Sequence, residues 1–249
     1  MKLINEKMRW NKLGKEDPYW VVLSDNNKKG SRWDKEEFYK TGVVEIENLL
    51  QKLKEKNIRV SFGKALDFGC GLGRLSQAMS RHFQNVNGID ISPSMIKQAE
   101  ENNQFPGKCI YAVNDDDNLS CFAENSFDFV YSSITLQHVP IKTTKKYIID
   151  FLRVLKPGGI LVFQLPGEPT DLHTQQSKIK YFIKRNLPIS LLDIIMKYRY
   201  KDWPGWHMFG LSKKEVLECL TRQQGIVLDV ESDTGNSKYW ENHVYVVSK

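Results

Sequence analysis

Ala65-Leu66-Asp67-Phe68-Gly69-Cys70-Gly71-Leu72-Gly73-Arg74-Leu75 runs from a buried-strand pattern straight into three glycines and then into a helical pattern. Glycines at a strand-to-helix turn let the backbone approach a ligand closely and leave the helix N-terminus free for contacts. The dinucleotide fingerprint G-x-G-x-x-G fails from Gly69, because Arg74 takes the last glycine position, and from Gly71, where Ser76 takes it. Asp67, two residues before Gly69, is placed to meet a cationic ligand group and would disfavour a pyrophosphate. The next strand ends in Gly88-Ile89-Asp90, where an acid can accept hydrogen bonds from both hydroxyls of a ribose. The ligand implied carries a ribose and a positive group.

Outward from that turn, short β-type runs alternate with helical stretches. Strands are expected at 65–68, 86–90, 109–113, 127–131 and 160–164, with helices at about 73–83, 93–103 and 142–155. This alternation is the signature of a parallel sheet covered on both faces. Upstream, residues 1–60 read as polar, aromatic and turn-rich, ending in one helix that starts at Asp34 as N-cap. Downstream, 167–210 is an insertion rich in lysine and aromatics. A helix from Ser212 to Gln224 opens with a Ser212/Glu215 capping box, and strands at 226–231 and 243–248 close the chain as a hairpin.

Composition sets the bounds. The chain has 249 residues, 41% hydrophobic and 27% charged, which suits one large domain and excludes collagen-like or wholly disordered chains. No apolar run reaches the roughly 18 residues of a membrane span, and the N-terminus lacks a signal-peptide core. Cys70, Cys109, Cys121 and Cys219 have no paired spacing and read as reduced thiols. The expected location is the cytoplasm. The net charge of +6 fits an anionic partner or a lysine-rich surface equally.

The sequence resembles the class I S-adenosylmethionine-dependent methyltransferases, strongly over about 60–165 and moderately over the last helix and hairpin. The resemblance is carried by Asp67 to Gly73, by Asp90, by Asp115 in the loop after the third strand, by Ser126 to Val130 and by Arg153 to Gly159. It implies a Rossmann-like seven-stranded sheet, mostly parallel with a C-terminal antiparallel hairpin and helices on both faces. It also implies S-adenosylmethionine as cofactor, with S-adenosylhomocysteine as product. The cofactor-binding positions so implied are Asp67, Gly69, Cys70, Gly71, Gly73, Asp90, Ile91, Met95, Asp115, Asp116 and Ser132. Trp33 to Gly42 resembles a segment that packs over the methionine end in small-molecule members, which adds Thr41 and Gly42. Residues 1–60 are expected as a helical lid on a 61–249 methyltransferase domain capped by the 167–210 insertion. Asp115-Asp116-Asp117-Asn118 could alternatively read as a Mg²⁺ site; no metal is expected.

The acceptor should lie outside the C-terminal ends of the strands, facing the loop Ser132 to Pro140. His138 is the candidate general base, since an imidazole titrates in the useful range; a structural histidine closing the loop is the rival reading. His207 is a lesser catalytic candidate. Gln137, Trp206, His207 and His243 are expected around the acceptor, although the two histidines read equally well as wall or core residues. The insertion's Lys178, Lys180, Lys184, Arg185, Lys197, Arg199 and Lys201 suit a solvated face or an anion-seeking lid. The turn at Leu191-Leu192 offers a membrane-surface alternative.

The expected function is methyl transfer to a small polar acceptor, phosphorylated or sugar-like, most simply O-methylation in surface-polysaccharide or secondary-metabolite synthesis. Transfer to RNA, to protein or to a small-molecule nitrogen is the alternative. Nucleic acid is disfavoured because no base-flipping motif or RNA-binding module appears. A non-enzymatic scaffold would have no need of Asp67, Gly69, Gly71 and Asp90 together. Oligomeric state is not legible.

Overall fold

The runs Ala65–Phe68, Val86–Ile89, Phe127–Tyr131 and Ile160–Leu165 place apolar residues on both faces, and in the computed structural model they form the centre of a sheet buried on both faces. Residues 3–171, 174–187, 189–199, 206–232 and 239–249 are described. The seven strands are β1 (Lys64–Phe68), β2 (Asn85–Asp90), β3 (Cys109–Val113), β4 (Phe127–Ser132), β5 (Leu155–Pro169), β6 (Ile226–Ser232) and β7 (Trp240–Ser248). Their order is β3-β2-β1-β4-β5-β7-β6; β1 to β5 are parallel, and β7 runs antiparallel between β5 and β6. The seven-stranded, mostly parallel sheet with its terminal hairpin is therefore as the sequence implied. The connection within that hairpin, 233–238, lies outside the described residues.

The helices are α1 (Ile4–Glu16), α2 (Pro18–Val22), α3 (Lys35–Glu55), α4 (Arg74–Met79), α5 (Pro93–Glu101), α6 (Ile141–Val154), α7 (Gln175–Asn186), α8 (Ile189–Arg199) and α9 (Lys213–Arg222). One core, with Leu66, Phe68, Phe151, Phe163 and Tyr245, lies under α6 and α9. The other, with Ala65, Met79, Phe83, Phe129 and Val162, lies under α3 and α4. Each fully buried Phe or Leu contributes about 1.5–3 kcal/mol through area removed from water. The caps form as read: Asp34 accepts from Glu37 N at 2.9 Å, and Ser212 and Glu215 complete a capping box. Asp128 orients strand starts, accepting from Lys64 N at 2.7 Å and from Lys156 Nζ at 2.8 Å. Among the described residues, no helix is long and apolar enough to cross a membrane.

Two regions differ from the sequence expectation. Residues 4–22, turn-rich by composition although residues 1–60 as a whole are expected as a helical lid, form two helices. α1 is held by tertiary contacts: Asn11 accepts from Ser94 N and, through its carbonyl, from Ser94 Oγ, and Gln98 donates to Gly14 O. Lys7 pairs with Asp115 at 2.7 Å. The insertion builds α7 and α8, tied down by Arg185 to Glu215 and by Arg9 to Asp193. The side chains of Lys178 and Lys184, and Lys201 altogether, lie outside the described residues.

Candidate functional site

The backbone turns sharply where β1 ends. Gly69 (φ +76°) and Gly73 (φ +78°) occupy the left-handed region, and their neighbours leave no room for a side chain. A Cβ on Gly69 would stand 2.2 Å from the Thr135 side chain, and one on Gly73 would stand 2.2 Å from the Tyr111 hydroxyl oxygen. The turn therefore opens backbone, not side chains, onto a cavity of about 1060 Å³ including its open mouth. Gly69, Cys70 and Gly71 form its floor beside the ends of β1 and β2.

Asp90 stands at the end of β2. Its Oδ2 accepts from Gly71 N at 3.0 Å and its Oδ1 from Ser92 N at 2.8 Å. These bonds fix the carboxylate at the cavity wall and leave each oxygen capacity for a further donor. Burial raises the Asp90 pKa, opposed by the backbone N–H bonds, so neutral hydroxyl donors from a ligand would offset lost hydration. Ile91 and Met95 supply apolar wall, and Asn114 lines the cavity beyond the end of β3. α1 closes one side through Leu3, Glu6 and Trp10, and α2 contributes Val21 and Val22.

The loop after β4 closes the other side with Ser133, Ile134, Thr135 and His138. Ile134 adopts φ +59°, a costly conformation for a β-branched residue. It is held there by Gln164, whose Oε1 accepts from Ile134 N at 3.1 Å. Strain of this kind persists where surrounding structure over-determines it, often at functional sites. His138 Nδ1 lies 2.9 Å from the His207 carbonyl, so Nδ1 carries the proton and donates. Nε2 then accepts from the Gln137 amide nitrogen at 3.1 Å. Burial lowers the His138 pKa to about 4, with the His207 carbonyl opposing. The ring is thus neutral and weakly basic. It packs edge-on against Trp10 at 5.0 Å, and Trp206 stacks on Trp10 at 6.3 Å.

The structure brings Gly69, Cys70, Gly71, Asp90, Ile91, Met95 and His138 together around this cavity. Other expected positions lie elsewhere. Asp67 is the main correction: it is buried behind the turn, where its carboxylate accepts from Ser76 Oγ at 2.6 Å. Burial there raises its pKa to about 7. The acids of the cavity wall are Glu6 and Asp90. Gly73 caps α4 against Tyr111. Thr41 and Gly42 sit inside α3 against Arg74, Thr41 donating to Phe38 O. Ser132 is buried and donates to Phe68 O.

The acidic run is drawn to neighbouring side chains: Asp115 pairs with Lys7, Asp117 with Lys146, and the Asp116 carbonyl accepts from Tyr147. Gln137, Trp206 and His207 do not line the cavity but buttress His138 from behind. His207 Nε2 lies 2.7 Å from Asp193 Oδ1. His243 lies on β7 beside Gly167, with neither ring nitrogen hydrogen-bonded. Sequence reasoning missed Leu3, Glu6, Trp10, Val21, Val22, Asn114 and Tyr147 as wall residues, whereas Ile134 and Thr135 lie in the loop it expected to face the acceptor. The i, i+3, i+7 spacing of Leu3, Glu6 and Trp10 is the one signal that could have found part of this set.

The donor set fits the nucleoside cofactor that the resemblance implies: a fixed carboxylate at the end of β2, bare backbone at the glycines, apolar walls beside them and acids for a cationic group. Residues 66–163 match the family described as methyltransferase domain. A 2-methyl-6-phytyl-1,4-hydroquinone methyltransferase of Synechocystis is 42% identical over 98 residues, 39% of this chain and 30% of that protein. The match thus spans less than a third of that relative's length. A demethylmenaquinone methyltransferase of Staphylococcus saprophyticus is 31% identical over 189 residues, covering 74% of this chain and 78% of that one. Among solved structures, the magnesium protoporphyrin IX methyltransferase of Synechocystis, with bound S-adenosylhomocysteine, superposes with a TM-score of 0.62. That alignment has 15% identity and covers 99% of each chain.

Proposed function

The chain belongs to the class I S-adenosylmethionine-dependent methyltransferases, and from that premise we propose that its acceptor is a small hydroxylated aromatic ring of the hydroquinone kind, methylated on oxygen. The observation that carries this reading is the chemistry of the wall. Around His138 the lining is Trp10, Ile134, Val139 and Pro140, with Ser133 and Thr135 as small polar groups. The cation among the described lining residues is Arg74, and it is committed to Glu45 at 2.8 Å with its side chain 3% exposed. A phosphorylated or sugar-like acceptor, as expected from sequence, would find little to bind there. The relatives named for a phytyl-hydroquinone and a demethylmenaquinone support the same class of acceptor.

In this reading Asp90 would receive the ribose hydroxyls, and Ile91 and Met95 would offer apolar wall to the adenine. Gly69 and Gly71 would admit the methionine portion, with Glu6 as an acid for its positive end. The bound cofactor supplies a methyl group activated by its sulfonium. His138, held neutral by burial and with both ring nitrogens engaged by the His207 carbonyl and Gln137, packs against the acceptor and takes no proton from it; the acceptor hydroxyl gives its proton to solvent water while the lid is open. α1, α2, α7 and α8 act as the lid that excludes water.

Labelled methyl transfer from S-adenosylmethionine, with short-chain hydroquinones, sugar phosphates and RNA offered in parallel, tests the assignment. Label in an aryl methyl ether is the expected result. Label in the sugar phosphates would restore the polysaccharide reading, and label in RNA would restore the nucleic-acid alternative. Label on ring carbon would move the acceptor atom.

A further inference from the structure

α7 and α8 turn their apolar residues outward. On α8, Leu191, Ile194, Ile195 and Tyr198 fall at i, i+3, i+4 and i+7 and are 42, 65, 41 and 96% exposed. On α7, Ile179, Phe182 and Ile183 repeat the i, i+3, i+4 spacing at 50, 68 and 53%. These spacings each define one helical face. The opposite faces hold the lid to the body: Leu192 is buried, Asp193 binds Arg9, Arg185 binds Glu215, and Tyr181 packs on Trp240. Two amphipathic helices thus sit with their polar anchors inward and their apolar stripes in solvent, the reverse of a helix that covers a core.

Charge says what the stripes face. Between Gln175 and Arg199 there are six Lys and Arg residues, of which Arg185 is bound inward to Glu215, and one acid, Asp193, also bound inward. Lys180, Lys197 and Arg199 are exposed beside the stripes. α1, tied to α8 through Arg9, adds the exposed Ile4 and Met8. A second copy of the chain would bring two such basic faces together, which like-charge repulsion disfavours. An anionic lipid surface satisfies both features, because acyl chains receive the apolar stripe and acidic headgroups receive the basic flank.

We infer that the α7–α8 lid docks the protein on anionic membrane surfaces, with the stripes Ile179/Phe182/Ile183 and Leu191/Ile194/Ile195/Tyr198 at the lipid boundary. The inference is independent of the acceptor proposed above, since docking needs no substrate. The experiment is co-sedimentation of the full chain with phosphatidylcholine vesicles, with and without phosphatidylglycerol, at physiological salt. The expected result is partitioning at least about tenfold stronger onto the anionic vesicles. Phe182→Ser with Ile194→Ser should weaken that binding by about tenfold or more. Lys180→Glu with Lys197→Glu should weaken it by at least about fivefold for each residue. Both variants should keep S-adenosylhomocysteine affinity, which reports the folded body. Wild-type protein left in the supernatant with both vesicle types would overturn the inference, as would equal binding to neutral and anionic vesicles. A wild-type dimer in solution that Phe182→Ser with Ile194→Ser dissociates would also overturn it, assigning the face to a second copy.

Discussion

Replacing Asp193 with alanine removes the acceptor that α8 offers to Arg9 of α1 and to His207. Arg9 Nη2 lies 2.8 Å from both carboxylate oxygens, and His207 Nε2 lies 2.7 Å from Oδ1. Hydrogen bonds to charged groups contribute about 1.5–3 kcal/mol each. The Arg9 and Asp193 side chains are 18 and 27% exposed, so water replaces part of the arginine contact, whereas His207, at 4%, has little access to water. The expected net loss is about 2–3 kcal/mol in the interaction holding α8 to the body. That is a shift of about 30- to 150-fold towards detachment. Hydrogen exchange in α8 should accelerate by that factor, and the acceptor KM should rise while cofactor affinity stays within about threefold. α1 should remain in place, because Asn11 and Gly14 hold it to α5 independently. A double-mutant cycle with Arg9→Ala should give a coupling of about 1 kcal/mol or more. Unchanged exchange in α8 together with additive single-variant effects would refute the latch.

Gly69→Ala forces a side chain into the left-handed region and against Thr135 at 2.2 Å. The expected loss is about 2–4 kcal/mol, read as a melting-temperature drop of about 5–10 °C. Two buried groups give opposite pH slopes. His138, depressed by burial to about 4, contributes stability that is present above its unfolded pKa of about 6.5 and is lost as pH falls towards 4. Asp67, raised by burial from 3.8 to about 7, holds its proton longer when folded, so stability is lost as pH rises from 4 to 7. Relative to wild type, Asp67→Asn should gain about 3 kcal/mol of unfolding free energy between pH 4 and 7. His138→Gln should lose about 2–3 kcal/mol relative to wild type between pH 4 and 6.5. Denaturant titrations across this range check both; parallel profiles would show that neither group carries the shift.

The parallel sheet was legible because its strands are short, continuous apolar runs punctuated by glycine, and because β1 leads into a turn that tolerates no other residue at Gly69. The hairpin was legible from two strand runs, 226–231 and 243–248, joined by a polar stretch, and the Ser212/Glu215 box marked the helix before it. α1 was not: its sequence is polar, and it is helical through contacts with Ser94, Gln98 and Asp115 that lie far along the chain. Asp67 shows how near a local reading can come. Strand alternation puts it on the same face of β1 as Ala65, whose side is covered by α4, so its carboxylate meets Ser76 and not the cavity. His138 lies in the cavity wall, and its state depends on His207, 69 residues away in sequence. The outward stripes of α7 and α8 carried a clear helical period, which reports that a face exists and not which way it points.

The most direct measurement is isothermal titration of S-adenosylhomocysteine into the wild type and into Asp90→Ala. Asp90 is fixed by Gly71 N and Ser92 N at the cavity wall, and losing it removes the acceptor assigned to the ribose. The expected result is micromolar binding to the wild type, weakened at least about tenfold, or 1.4 kcal/mol, in the variant. Equal affinity in a folded variant would contradict the placement of the cofactor at the end of β2, and absence of binding to the folded wild type would contradict the site as a whole.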